Sequence, residues 1–494
     1  MLRSCLCFLL LTFSLVATEF ELASPFSEQM VLQRGIPVPV WGWGPAGQTV
    51  TVTVADQKGT ATIDAQGHWR LTLNALKAGG PHTFVARSGK DELKLENVLI
   101  GEVWICSGQS NMAMGYNSIP DIKKLAEESK KRPIRCLPIP TTVAFKPQER
   151  CKAKWSKGPP SSAVACAFAY DLQAAAKVPV GIILSAWGSS SIEGWMPLDL
   201  TAQLPHFKAA MEQFEQKDRK RVAELIEQAE SGKRWARGDN IYLRTRPNIL
   251  YNAMLHPIAP FAVRGLVWYQ GEANTRNYES MMQYGESLKT WTQRLRKQWG
   301  REDFHLLAVM LPRFGRCSKG GKSQDPNHPE AHTWAWMRDS QLRLLELPCT
   351  GVANTVDLGD AKNIHPKDKR PIGKRLALLA QRDVLKQDVV AQGPQIKEIV
   401  AEGAKLRVRF TDAEGLRTTD GKTPRSFWVA GDQGEWHPAE ATIDGQEILL
   451  HAAAVPQPKR ACYAFAAIPD VNLVNGAGLP ALPFRFPGAT VGKQ

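Results

Sequence analysis

Five short, near-continuous apolar runs spread over the middle of the chain constrain its fold more than any other feature. They are Val98–Cys106 (VLIGEVWIC), Val180–Leu184 (VGIIL), Arg264–Tyr269 (RGLVWY), His305–Met310 (HLLAVM) and Thr350–Val356 (TGVANTV). A strand with one face in water alternates apolar and polar residues, whereas a strand covered on both faces has no reason to alternate. The runs are too short for core helices. Helix-like stretches such as Ala163–Ala176 separate them. The pattern predicts an α/β core: a parallel sheet with helices on both sides.

The flanks read differently. In Val50-Thr51-Val52-Thr53-Val54 apolar and polar residues alternate strictly, as in a half-buried strand. Turn signals recur at Pro45, Gly47, Gly59, Gly67 and Gly79-Gly80. Trp41, Trp43 and Trp69 are placed in the core of this β region rather than on a sugar-binding platform. Alternation returns in Lys405–Phe410 (KLRVRF), with another strand at Glu447–His451. We therefore expect a β domain over 19–97, a catalytic α/β domain over 98–388 and a C-terminal β domain over 389–494. A charged helical stretch, His206–Trp235, falls in an insertion at about 198–246. Its mixed signs read as a solvated face.

With 494 residues, two or three domains are expected. A mean hydropathy of −0.27 excludes a polytopic membrane protein. Residues 1–18 read as a signal peptide: Arg3 precedes the apolar run Cys5–Ala17, which is too short to span a bilayer comfortably. The expected location is outside the cytoplasm, periplasmic or extracellular, with no stable membrane insertion after cleavage. The net charge of +14 would suit an anionic partner. Lys and Arg are scattered along the sequence rather than gathered on a stripe, which argues against nucleic acid. Seven cysteines follow the signal (Cys106, Cys136, Cys151, Cys166, Cys317, Cys349, Cys462). Export permits one or two bridges, and the odd count leaves at least one thiol.

Ligands of open parallel sheets bind beyond the carboxyl ends of the strands, and here those ends carry the chemistry. After the first run comes Ser107-Gly108-Gln109-Ser110-Asn111-Met112. A serine on a tight glycine turn there can meet a base, and the N–H groups that follow can face an oxyanion. Met112 stands where a G-x-S-x-G elbow has its last glycine; taken alone, Ser110 would be a helix cap. After the second run, Gly188 in Trp187-Gly188-Ser189 offers a close backbone N–H. After the third, Gln270-Gly271-Glu272-Ala273-Asn274 offers an amide from Gln270 or Asn274, while the Glu272 carboxylate would orient a neighbour or bind sugar hydroxyls. After the fifth, His365 is a candidate general base. His328 and His332 have helical ligand spacing but no third ligand in view, so no metal is expected.

Three of these blocks, GQSNM around Ser110, WYQGEAN at 268–274 and NIHPKDK at 363–369, resemble the sialate O-acetylesterase family of the Ser-Gly-Asn-His hydrolases. So do residues 26–44 (FSEQMVLQRGIPVPVWGWG), 246–257 (RPNILYNAMLHP), 334–341 (WAWMRDSQ) and 472–484 (NLVNGAGLPALPF). The resemblance implies a flavodoxin-like three-layer α/β/α hydrolase core between β-sandwich-like segments. It also implies a secreted serine esterase that removes O-acetyl groups from carbohydrates through an acetyl-serine, with no cofactor. Ser110 would be the nucleophile and His365 the base. The oxyanion hole would be Ser110, Gly188 and an amide of Gln270 or Asn274. O-acetylated sialic acids are the first expected substrate, and acetylated xylan the alternative. A non-catalytic carbohydrate-binding protein is the reading from another class, but it leaves Ser110 and His365 unexplained. The sequence departs from the superfamily at the triad acid: three residues before His365 stands Lys362. Asp360 is the first choice, Asp357 the second and a Ser–His dyad the third. Arg338, near Trp334 and Trp336, is expected at the sugar-binding rim with Glu272.

Overall fold

The computed structural model describes residues 19–487, so the expected signal peptide lies outside the described residues. Six parallel strands form the core: β1 (Asp91–Gly108), β2 (Ile134–Pro138), β3 (Val180–Ala186), β4 (Gly265–Tyr269), β5 (His305–Val309) and β6 (Thr350–Ala353). Their spatial order is β2-β3-β1-β4-β5-β6. The five apolar runs became β1 and β3–β6. The sixth strand, β2, is interrupted by Arg135 and ends in Pro138, so no apolar run announced it. Arg135 is tolerated because its guanidinium donates to the backbone and side-chain oxygens of Asn97.

Helices cover both faces. In a parallel pair, facing residues point the same way and successive ones alternate. Trp104 of β1 faces one side, where it meets Phe168 of α1 (Ala163–Ala176) edge-on at 5.6 Å. Trp268 of β4 pairs with Ser107 and so faces the other side. There it meets Trp291 of α2 (Tyr278–Trp299) at 4.7 Å and donates to the Tyr284 hydroxyl. The helix α1 starts where Ser162 accepts from the Ala165 N–H, and α2 starts where Asn277 accepts from that of Ser280. Two further helices are α3 (Trp334–Leu342), packed on α2, and α4 (Lys369–Asp383), packed on α1. At Gly373 of α4 a Cβ would lie 2.4 Å from that of Ala167, so only glycine permits this approach.

The strand β1 has two characters. Over residues 91–97 its side chains alternate towards solvent; from Val98 to Gly108 every residue is buried. The first part pairs with Gly79–Ser88 and the chain then runs unbroken into the core. A sheet of Glu21–Leu22, Val38–Trp43 and His68–Leu73 packs nearby; Trp43 and Trp69 are buried in it and Trp41 is half-buried against Phe26. Beyond α4 two four-stranded antiparallel sheets follow, one built on Lys405–Thr411 with Leu406, Val408 and Phe410 turned inward.

All seven cysteines among the described residues are free thiols, so the bridges that export would permit are not formed between them. Burial pushes the thiols of Cys106, Cys136, Cys166 and Cys462 up. The helical insertion is not merely a solvated face: Phe214, Val222, Leu225 and Leu243 are buried, and Trp235 stacks on Trp187 at 5.9 Å. Among the described residues no helix is long and apolar enough to cross a membrane, and no group of His, Cys, Asp and Glu is arranged to hold a metal ion.

Candidate active site

The carboxyl end of β1 is shaped by Gly108. Its φ of +138° is open only to glycine, and a Cβ there would lie 2.1 Å from the Tyr269 carbonyl oxygen. The chain thereby turns sharply between β3 and β4 and sets Ser110 at the start of a single helical turn, Ser110–Ala113. Ser110 does not act as a cap. Its Oγ lies 2.8 Å from Nε2 of His365, which comes from a loop 255 residues further along.

That loop is tied down by local hydrogen bonds. Asp360 accepts from the Lys362 and Asn363 N–H groups, Asn363 accepts from the His365 N–H, and the Ile364 carbonyl accepts from Asn111 Nδ2 at 3.0 Å. The Asp360 carboxylate is thus occupied by its own turn, not by the imidazole. Asp357 is held instead in a two-toothed ion pair with Arg375, at 2.7 and 2.6 Å. Among the described residues the one histidine–carboxylate approach within 4.0 Å is His68 with Glu149, far from this loop in sequence. Neither expected acid therefore contacts His365. Partial burial, and then the Lys369 charge, hold the His365 ring below its ordinary pKa of 6.5. The ring is neutral at neutral pH, as a general base must be.

Gly188 passes close to Ser110: a Cβ on it would lie 3.3 Å from Ser110 Cβ. Among the described residues the backbone N–H groups of Ser110 and Gly188 donate to no protein acceptor. A serine hydroxyl in contact with a neutral imidazole, and two open N–H donors at the same strand end, are the parts that acyl transfer uses.

A family model described as carbohydrate esterase, sialic acid-specific acetylesterase, matches residues 100–226 and 204–382, together more than half of the chain. The chain belongs to this family of carbohydrate esterases. It is therefore a carboxylic ester hydrolase. It is 28% identical to the sialate O-acetylesterase of Rattus norvegicus over 478 residues, covering 88% of this chain and 87% of the relative. With the sialate O-acetylesterase of Homo sapiens it shares 26% over 482 residues, covering 87% and 84%. The crystal structure of a carbohydrate acetylesterase from Xanthomonas citri superimposes with a TM-score of 0.79 at 31% identity, covering 94% of this chain and 99% of that one.

The remaining expected residues of this esterase lie deeper than the sequence suggested. Gln270 is fully buried; its Nε2 serves Gln109 Oε1, the Ser190 carbonyl and Asn274 Oδ1. Asn274 donates to Glu193 and accepts from the Ile192 N–H. The Gln270 amide is thus committed to protein partners, while Asn274 Nδ2 has one protein acceptor, Glu193, for its two N–H bonds. Glu272 is buried and accepts from Asn111 Nδ2 at 2.5 Å, so it orients a neighbour and does not face a sugar. Burial raises its pKa. Arg338 is no rim residue. It is fully buried and donates to the carbonyls of Leu311, Pro312, Ala466 and Ala467.

Two residues escaped the sequence reading. Asn111 links the Ser110 turn to Glu272 and to the His365 loop, and its Oδ1 accepts from Lys369 Nζ at 2.6 Å. Lys369 is buried, which pushes its pKa down to about 8. Both stand inside quoted motifs, directly after Ser110 and four residues after His365, and that adjacency was the available signal.

Proposed function

We propose that this esterase removes O-acetyl groups from sialic acids by double displacement through an acetyl-serine at Ser110. The reading rests on one observation, the 2.8 Å contact between Ser110 Oγ and His365 Nε2. His365 takes the Ser110 proton as Oγ attacks the acetyl carbonyl. The N–H groups of Ser110 and Gly188 hold the oxyanion, each such donor contributing about 3–4 kcal/mol. Collapse breaks the ester bond, and His365 returns the proton to the sugar oxygen. Water, deprotonated by His365, then attacks the acetyl-serine, and acetate leaves. The pair works as a dyad: the ring is held by its own loop, pinned on Asn111, rather than by a carboxylate.

The sialic acid assignment is supported by the rat and human relatives, both sialate O-acetylesterases, and by the net charge of +14, which favours a substrate that carries a carboxylate. We further read the core as three-layered and flavodoxin-like. Without β2, which also pairs antiparallel with Ser156–Lys157, its order is β3-β1-β4-β5-β6, second, first, third, fourth, fifth along the chain, the flavodoxin-like order. Residues 1–18 would export the chain, and 19–97, 98–388 and 389–494 would be its domains.

Acetate release from O-acetylated sialic acid and from acetylated xylan, measured side by side, tests the substrate. Release from xylan alone would move the assignment to a neutral glycan. Ser110→Ala should lower turnover by at least about 10⁴-fold at unchanged circular dichroism, with no acetyl-peptide recoverable after acid quench. Wild-type turnover in the folded variant would remove Ser110 from the mechanism.

A further inference from the structure

The insertion brings a charged group to the Gly188 turn beside Ser110. Arg244 ends its last helix, Arg237–Arg244. Nη1 donates to the Gly188 carbonyl at 2.9 Å, Nη2 donates to Asn240 Oδ1, and the guanidinium lies 5.1 Å from the centre of the Trp187 ring. A Cβ on Gly188 would be 3.3 Å from Ser110 Cβ and 3.5 Å from Arg244 Nη1, so nucleophile and guanidinium flank the same glycine.

The charge has no counter-ion. Arg219, Arg221 and Arg246 of the same insertion pair with Glu215, Asp239 and Asp218 respectively. Arg244 is half-buried, its Nε is buried without a hydrogen-bond partner, and among the described residues no carboxylate lies within 4.0 Å of it. Fixing the Gly188 carbonyl requires one neutral donor. A fork of five N–H donors with a full positive charge exceeds that need and matches a carboxylate. Withdrawing such a charge from water without a partner is costly, and a bound anion would offset the cost. Burial already lowers the guanidinium pKa. The stacked Trp187–Trp235 pair beside it forms an apolar wall.

We propose that Arg244 binds the carboxylate of the O-acetylated sugar and so sets the preference of this esterase for acidic over neutral acetylated glycans. This rests on the reading of Ser110 as the nucleophile. The insertion, on this account, is the specificity element of the enzyme.

The test is steady-state acetate release by the full-length enzyme, its Arg244→Gln and its Arg244→Lys variants. Substrates are an O-acetylated N-acetylneuraminic acid, the methyl ester of its carboxyl group, and acetylated xylan. The wild type should prefer the free acid to the methyl ester by about 10- to 100-fold in kcat/KM. Arg244→Gln should collapse that ratio towards one, chiefly through KM for the free acid, and Arg244→Lys should keep part of it. A wild-type ratio near one overturns the proposal, and this comparison needs no variant to fold. A Gln variant that loses the same factor on all three substrates also overturns it, since Arg244 would then only brace the Gly188 turn. If the wild type releases acetate from none of the three, the proposed substrate reading falls, and the role given to Arg244 falls with it. Equal release from all three removes only the role given to Arg244.

Discussion

At the scale of single residues, the site depends on which groups touch the imidazole. Asp360 holds a turn, so Asp360→Asn, which keeps an acceptor oxygen for the same N–H groups, should lower kcat by less than about tenfold. A loss near 10⁴-fold, the size seen when a triad acid is neutralised, would put that carboxylate on the His365 ring. The pH profile carries a second expectation. His365 acts as base only when neutral, and its pKa is depressed below 6.5 by burial and by the Lys369 charge. The acid limb of kcat/KM should therefore lie below pH 6.5, with activity lost as pH falls through it. Lys369→Met removes a nearby positive charge, which raises the His365 pKa and should move the limb to higher pH. A limb that stays put would mean that Lys369 does not bear on the base. Ser110 and His365 were legible because each follows a recognisable strand end. Asn111 and Lys369 were not, because their meaning lies in contacts spanning 161 and 258 residues.

At the scale of elements, continuous burial was readable and context was not. The runs that became β1 and β3–β6 announced themselves by their lack of alternation. The short strand β2 stayed hidden because its Arg135 looks like a solvent residue until Asn97 accepts its donors. The insertion was legible as helical, but its face on Trp187 was not: one tryptophan in a charged stretch has no pattern to reveal its partner. Turn geometry gives a prediction at this scale. Gly108→Ala places a Cβ 2.1 Å from a backbone oxygen at φ +138°. It should cost at least about 1–3 kcal/mol and shift the β1 terminus. A urea midpoint falling together with esterase activity is the expected result; an unchanged midpoint would contradict this account of the turn.

At the scale of the molecule, Arg338 joins the core to the C-terminal β structure. It donates to Leu311 and Pro312 on one side and to Ala466 and Ala467 on the other, and burial pushes its pKa down to about 9, so it stays charged at neutral pH. Arg338→Met would strand the carbonyls of Leu311, Pro312 and Ala466, Ala467 keeping the Phe314 N–H, and should destabilise the fold by about 3–5 kcal/mol. Thermal unfolding would register it, and an unshifted Tm would show that the two regions hold together without it. The sequence placed Arg338 on the rim because arginine is usually wet, and nothing local says otherwise. The strand β1 bears on how the protein is made. It lies mid-sheet with β3 and β4 as neighbours, yet those arrive only with residues 180–186 and 265–269. A ribosome must therefore release more than half of the nascent chain before the strand that leads into Ser110 has both its partners, and until then its apolar length is a surface for chaperones to shield.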